Sequence, residues 1–91
     1  MPPRDMMPEE IEAEVLHRLF RRGSWGSNYT PVSSLKGWLG SQIKRDGKEV
    51  EKAIKRLQNK WLVFLHKGGE TVSLNPHRSS EIMEFIDEYF G

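Results

Sequence analysis

The sequence predicts a mostly helical α+β fold, and three observations carry that expectation. Apolar residues recur at three- and four-residue intervals in four separate segments. Two short β-rich runs flank a Gly68-Gly69 turn. Ninety-one residues can close one modest hydrophobic core but rarely two, so residues 1–91 are expected to form one domain, with residues 1–6 a flexible lead. A composition of 30% charged and 36% apolar residues with nine aromatics suits a folded unit better than a disordered tail.

The first helix opens at Met7-Pro8, with proline near the first helical position and Glu9, Glu10, Glu12 and Glu14 in the early turns, where the helix dipole favours acids. Ile11, Val15, Leu16, Leu19 and Phe20 mark its buried stripe, and Arg21-Arg22-Gly23 closes it with cations followed by glycine. Residues 24–28 read as a loop and Tyr29-Thr30-Pro31-Val32 as a short extended piece. Ser33 then caps a second helix that turns Leu35, Trp38 and Leu39 inward and ends at Gly40 or runs on to Ile43. Asp46-Gly47-Lys48-Glu49 has the spacing of a capping box and starts a third helix, over about 47–60, with Val50, Ala53, Ile54, Leu57 and Trp61 facing the core. Leu62 to His66 and Thr71 to Asn75 form a hairpin over about 62–75 around the loop Lys67-Gly68-Gly69-Glu70. Pro76 stops the second strand, and Ser79 or Ser80 caps a last helix, about 79–90, with an apolar stripe of Ile82, Phe85, Ile86 and Tyr89 widened by Met83 and Phe90.

The absence of cysteine excludes a disulfide framework, a thiol redox centre and a thiolate zinc site. The longest apolar run, Trp61 to Leu65, is far short of the roughly 20 residues of a membrane helix, and Met1 to Met7 has no signal-peptide core. An intracellular, cytoplasmic setting without membrane contact is therefore expected. His17, His66 and His77 have no metal-ligand spacing, and no phosphate loop or nucleophile motif occurs, so no catalysis, metal or cofactor is expected.

The formal net charge of +1 conceals a strong polarity. Residues 1–22 sum to −1 and residues 23–35 carry no charge. Residues 36–67 hold nine basic groups against Asp46, Glu49 and Glu51, a net of +6, and residues 68–91 sum to −4. A polyanion-binding face backed by an acidic far side produces this pattern. At about 100° per residue, Lys48, Lys52, Lys55 and Asn59 fall opposite the buried stripe of the third helix, with Arg56 at the edge of their face. Such a face can neutralise phosphates and displace condensed counterions. Lys44 and Arg45 precede that helix and Lys67 sits in the hairpin loop, completing the candidate contacts. Lysine is a point charge and supports backbone binding more than base reading; only Arg56 and Asn59 offer forked donors.

The stretch VEKAIKRLQNKWLVFLHKGGETVSLNP, within the order helix, strand, helix, helix, hairpin, helix, resembles the third helix, second strand, wing and third strand of the winged helix-turn-helix family. The resemblance runs from Pro8 to Phe90 as pattern rather than as invariant residues. It implies a three-helix core with a small antiparallel wing and an extra last helix, a recognition helix presented to the major groove of double-stranded DNA, and a role as a transcriptional regulator or chromatin-associated factor. Lys67, with His66 beside it, would then touch an adjacent backbone or minor groove. Two features depart from the family. Trp61 stands where many members have glycine, so the helix is expected to exit differently and bury a large ring, and the Leu39 to Val50 spacing exceeds the family's tight turn.

The rival expectation is a winged-helix interaction module whose lysines meet an acidic protein, and RNA is a further polyanion that would fit. Trp25 and Tyr29, around a glycine-containing loop, suit stacking on bases or anchoring a partner, although a domain this small needs aromatic mass and one or both are expected on the core. The broad apolar side of the last helix suits a homodimer as well as a cover for the first helix.

Overall fold

In the computed structural model, residues 7–40 and 47–90 are described. They form α1 (Pro8–Arg22), β1 (Thr30–Pro31), α2 (Val32–Gly40), α3 (Gly47–Asn59), β2 (Val63–His66), β3 (Thr71–Leu74) and α4 (Ser79–Phe90), with short 3-10 turns at Lys67–Gly69 and Pro76–Arg78. This is the expected mostly helical α+β architecture. The proposed lead 1–6, the cap at Asp46, Lys44, Arg45 and a continuation of the second helix to Ile43 lie outside the described residues.

The helices close around one apolar cluster. Ile11, Val15, Leu16 and Leu19 of α1 meet Leu35 and Leu39 of α2, Val50, Ala53, Ile54 and Leu57 of α3, and Ile82 and Ile86 of α4. α3 packs on both α1 and α2, and α4 lies on α1. The strands run in the order β1-β3-β2, all antiparallel. The register pairs Thr30 with Val72 and Leu65 with Val72, so alternation puts Thr30, Val63, Leu65, Val72 and Leu74 on the inner face. Pro31, Phe64, His66, Thr71 and Ser73 consequently fall on the outer face. A segment before β1 extends the sheet: Gly26 donates its amide to the Leu74 carbonyl and Leu74 donates to that of Ser24. Buried there, the Ser24 and Thr30 hydroxyls satisfy each other.

Three expectations need correction. Phe20 is exposed, because it lies at the edge of the α1 stripe and packs edge-on against Trp25 at the surface. Val32 begins α2 rather than extending the strand, and Ser33 lies inside that helix; the Val32 amide donates to the Glu70 carbonyl at 2.9 Å, an anchor from the hairpin loop. Trp38, by contrast, turns inward as expected: half-buried, it packs against the core cluster with the Arg22 guanidinium over its ring at 4.8 Å.

The third concerns Trp61. Its ring is 61% exposed and its backbone is left-handed, with φ 63°. The cause is how α3 ends. Leu62 donates its amide to the Leu57 carbonyl and Trp61 donates to that of Gln58, the paired bonds of a Schellman stop, which requires a left-handed residue at the Trp61 position. α1 ends with the same pair of bonds, Ser24 to Leu19 and Gly23 to Phe20, and there Gly23 takes the left-handed conformation. Trp61 thus makes the turn that glycine would make, and the turn swings its side chain off the buried stripe. Asn75 secures the junction: its side-chain amide donates to the Trp61 carbonyl at 2.7 Å, its side-chain oxygen accepts from the His77 amide, and its backbone amide donates to the Leu62 carbonyl.

Candidate nucleic-acid interface

α3 divides cleanly by side. Val50, Ala53, Ile54 and Leu57 are buried, while Lys48, Lys52, Lys55 and Asn59 are exposed, as the helical period requires. The hairpin loop presents Lys67 with left-handed backbone at φ 53°, followed by Gly68 and Gly69, also at positive φ. Consecutive positive φ values suit the two glycines; lysine in that conformation is uncommon.

Ion pairing sorts the basic residues further. Arg56 turns back to α1, where its Nε lies 3.1 Å from Glu12 and its terminal nitrogen donates to the Pro8 carbonyl. Lys60 reaches the other oxygen of the same carboxylate at 2.6 Å. Glu12 is 2% exposed, so its charge is tolerable only because two cations meet it at the α1–α3 contact. Arg56 and Lys60 are therefore occupied in holding the fold. Periodicity places Arg56 at the edge of the outward face but gives no sign of a partner 44 residues away.

Lys36 of α2 pairs with Glu51 of α3. The Lys36 ammonium, by hydrogen bond and by charge, holds the Glu51 carboxyl below the usual range, aided by Lys55 and Lys48. Glu51, an acid on the helix that carries the exposed lysines, is thus neutralised from α2. Lys52 lies 3.6 Å from Glu49, one turn earlier and well exposed, a contact that water and salt weaken readily. Among the described residues, Lys48, Lys55 and Lys67 have no ion-pair partner.

Pro31, Val32, Lys36, Glu51, Lys67 and Glu70 line a shallow cleft of about 540 Å³ between the hairpin loop, α2 and α3, so that α3 and the loop border one concavity. Between the end of α3 and α4, Lys60, Leu62, Glu81, Glu84, Phe85 and Glu88 line a second groove of about 370 Å³. The first cleft balances Lys36 and Lys67 against Glu51 and Glu70, whereas the second sets Lys60 against three acids.

The loop aromatics separate. Trp25 packs against the core, whereas Tyr29 stays 46% exposed and lies against the His66 ring at 4.0 Å between centroids. On α4, Ile82 and Ile86 are buried, Phe85 is half-buried, and Tyr89 and Phe90 remain exposed at 39% and 44%. Phe85 stacks on Tyr89, and Phe90 on His17 of α1.

Among the described residues no group of three or more His, Asp or Glu side chains is placed to hold a metal ion, and no helix is long and apolar enough to cross a membrane. No family model matches the chain, and no curated protein or solved structure matches it either.

Proposed function

We propose that the chain is a winged helix-turn-helix protein that binds double-stranded DNA through α3 and the hairpin, acting without catalysis as a transcriptional regulator or chromatin-associated factor in the cytoplasm. The observation that carries this reading is the exposed set Lys48, Lys52, Lys55 and Asn59, directly behind a fully buried stripe, together with an exposed Lys67 that has no ion-pair partner among the described residues. A helix held rigidly by its inner face presents its cations to a phosphate backbone without having to be ordered first. Neutralisation of Glu51 by Lys36 removes the acid that would otherwise oppose such contact. The same geometry argues for backbone binding with little base discrimination, since of the two forked donors Arg56 is engaged by Glu12 and Asn59 alone stays on the exposed face.

The test is the salt dependence of duplex binding. Lys48, Lys55 and Lys67, with Lys52 readily released from Glu49, supply three to four phosphate contacts, so log K against log salt should fall with a slope of roughly −3 to −4 for B-form DNA, steeper if Lys44 and Arg45 join. A slope near zero would favour the rival reading, a winged-helix module docking an acidic protein. That rival draws on one observation, the internal engagement of Lys36, Arg56 and Lys60, which shrinks the free cationic surface. A steeper slope on A-form RNA than on DNA would move the assignment to RNA.

A further inference from the structure

The outer face of the sheet carries aromatic rings that the core does not use. Phe64 pairs across β3 with Ser73, and His66 with Thr71, in the register that sends Leu65 and Val72 inward. Tyr29, immediately before β1, reaches over from the far side of β3 to lie against His66 at 4.0 Å between centroids and 37° between planes. Phe64 meets the other side of His66 edge-on at 6.5 Å. The His66 ring is held from below, where Nε2 lies 3.2 Å from the Ser73 hydroxyl. Ser73 is wholly buried beneath these rings although it belongs to the outer face. Small hydroxyl residues on the central strand and rings on the two flanks thus make a fixed plate, with Tyr29, nearly half exposed, as its outermost ring.

We propose that this plate is a stacking site for unpaired nucleobases, taking a single-stranded segment that continues from a bound duplex; this rests on the reading of α3 and the hairpin as a nucleic-acid surface. Three features favour bases over an apolar protein segment. The plate is rings over hydroxyls, Tyr29, Phe64 and His66 over Thr71 and Ser73, with Pro31 the aliphatic member among the strand residues of that face, and so matches a flat, polar-edged ligand better than a branched one. Lys67, directly after His66 and without an ion-pair partner among the described residues, is available for the phosphate of a stacked nucleotide. Thr71 of the plate and Lys67 also line the cleft that Lys36 of α2 and Glu51 of α3 border, so one strand can pass from the plate toward α3.

The experiment compares a blunt duplex with the same duplex bearing a six-nucleotide single-stranded overhang that contains 2-aminopurine, for the wild-type chain, Tyr29→Leu, Tyr29→Phe and the Lys52→Glu/Lys55→Glu pair. Stacking is expected to tighten overhang binding roughly 5- to 100-fold per base engaged, and to quench the 2-aminopurine fluorescence. Tyr29→Leu, which keeps an apolar cover over His66, should lose that gain and the quenching while binding the blunt duplex like wild type. Tyr29→Phe, which keeps the ring, should retain both. An overhang that adds nothing, or a Tyr29→Leu chain that responds to it like wild type, overturns the proposal while leaving duplex binding through α3 intact. Tyr29-dependent binding of the overhang strand alone, with no affinity for blunt duplex, would uphold the plate and reject the duplex reading. Absence of binding to every probe would reject both.

Discussion

Glu12 and Trp61 show how single residues depart from their neighbours. Glu12 begins as one of four acids in the opening turns of α1, yet it is buried and takes both Arg56 and Lys60. Removing one partner of a buried pair costs about 3 to 5 kcal/mol when the remaining charge is trapped. Here the partners left behind are a third to a half exposed and can turn to solvent, so Glu12→Gln should cost less, about 1 to 3 kcal/mol by thermal or urea unfolding. The substitution also frees two cations at the edge of the α3 surface. It is therefore expected to steepen the salt slope of duplex binding by about one unit for each new phosphate contact, giving a less stable protein that binds more tightly. A variant that loses stability with an unchanged slope would show that Arg56 and Lys60 do not reach DNA even when released. Trp61 gives the opposite kind of test. A left-handed backbone costs a non-glycine residue about 1 to 2 kcal/mol, and the exposed ring offers little packing in return. Trp61→Gly should leave the melting temperature level or raise it by up to about 5 °C, the gain being trimmed by the greater freedom of glycine in the unfolded chain. A fall of more than about 10 °C would mean that the ring is packed after all.

At the scale of elements, what was legible in the sequence was what periodicity governs. Ile11, Val15, Leu16 and Leu19, then Val50, Ala53, Ile54 and Leu57, are buried where the three- and four-residue spacing puts them, and the hairpin lies around Gly68-Gly69. What escaped was decided where the period stops or between distant segments. Trp61 is in phase with the α3 stripe only while the helix continues; the stop two residues earlier rotates it outward. Arg56 and Lys36 are on exposed or edge positions by phase, and their partners Glu12 and Glu51 belong to other helices, which no local pattern specifies. The candidate surface was legible as a face, Lys48, Lys52, Lys55 and Asn59, but not as a count of free cations. That face supplies the test of α3. Lys52→Glu with Lys55→Glu reverses two exposed charges that support no core contact, and should abolish measurable duplex binding while shifting the melting temperature by only a few degrees. A folded double variant that binds like wild type would remove α3 from the interface. Reversing Lys67 alone should do less, flattening the slope by about one unit.

On the scale of the whole molecule, the exposed lysines of α3 and the exposed acids of α4 belong to different helices, and a homodimer through α4 has to be argued against those acids. Few free lysines on one helix imply weak binding, and pairing two copies is the common route to useful affinity. α4 offers Tyr89 and Phe90 at the surface, partly occupied by Phe85 and His17, and a groove floored by Leu62 and Phe85. It also exposes Glu81, Glu84, Asp87 and Glu88, and a two-fold contact would bring these acids toward their symmetry mates, with Glu81 alone in an ion pair among the described residues, to Arg78 at 2.9 Å. Like charges facing each other across an apolar contact are screened by salt, while apolar burial is not weakened by it. The two proposed associations should consequently respond to salt in opposite directions: duplex binding is expected to fall as salt rises, and the α4 dimer to gain. Light scattering at tens of micromolar protein is expected to give a mass nearer the monomer in 50 mM salt and to move toward the dimer in 0.5 M sodium chloride, with Phe90→Glu abolishing the shift. A monomer mass at both salt concentrations would end the dimer proposal and leave Phe85, Tyr89 and Phe90 as the ordinary cover of α1.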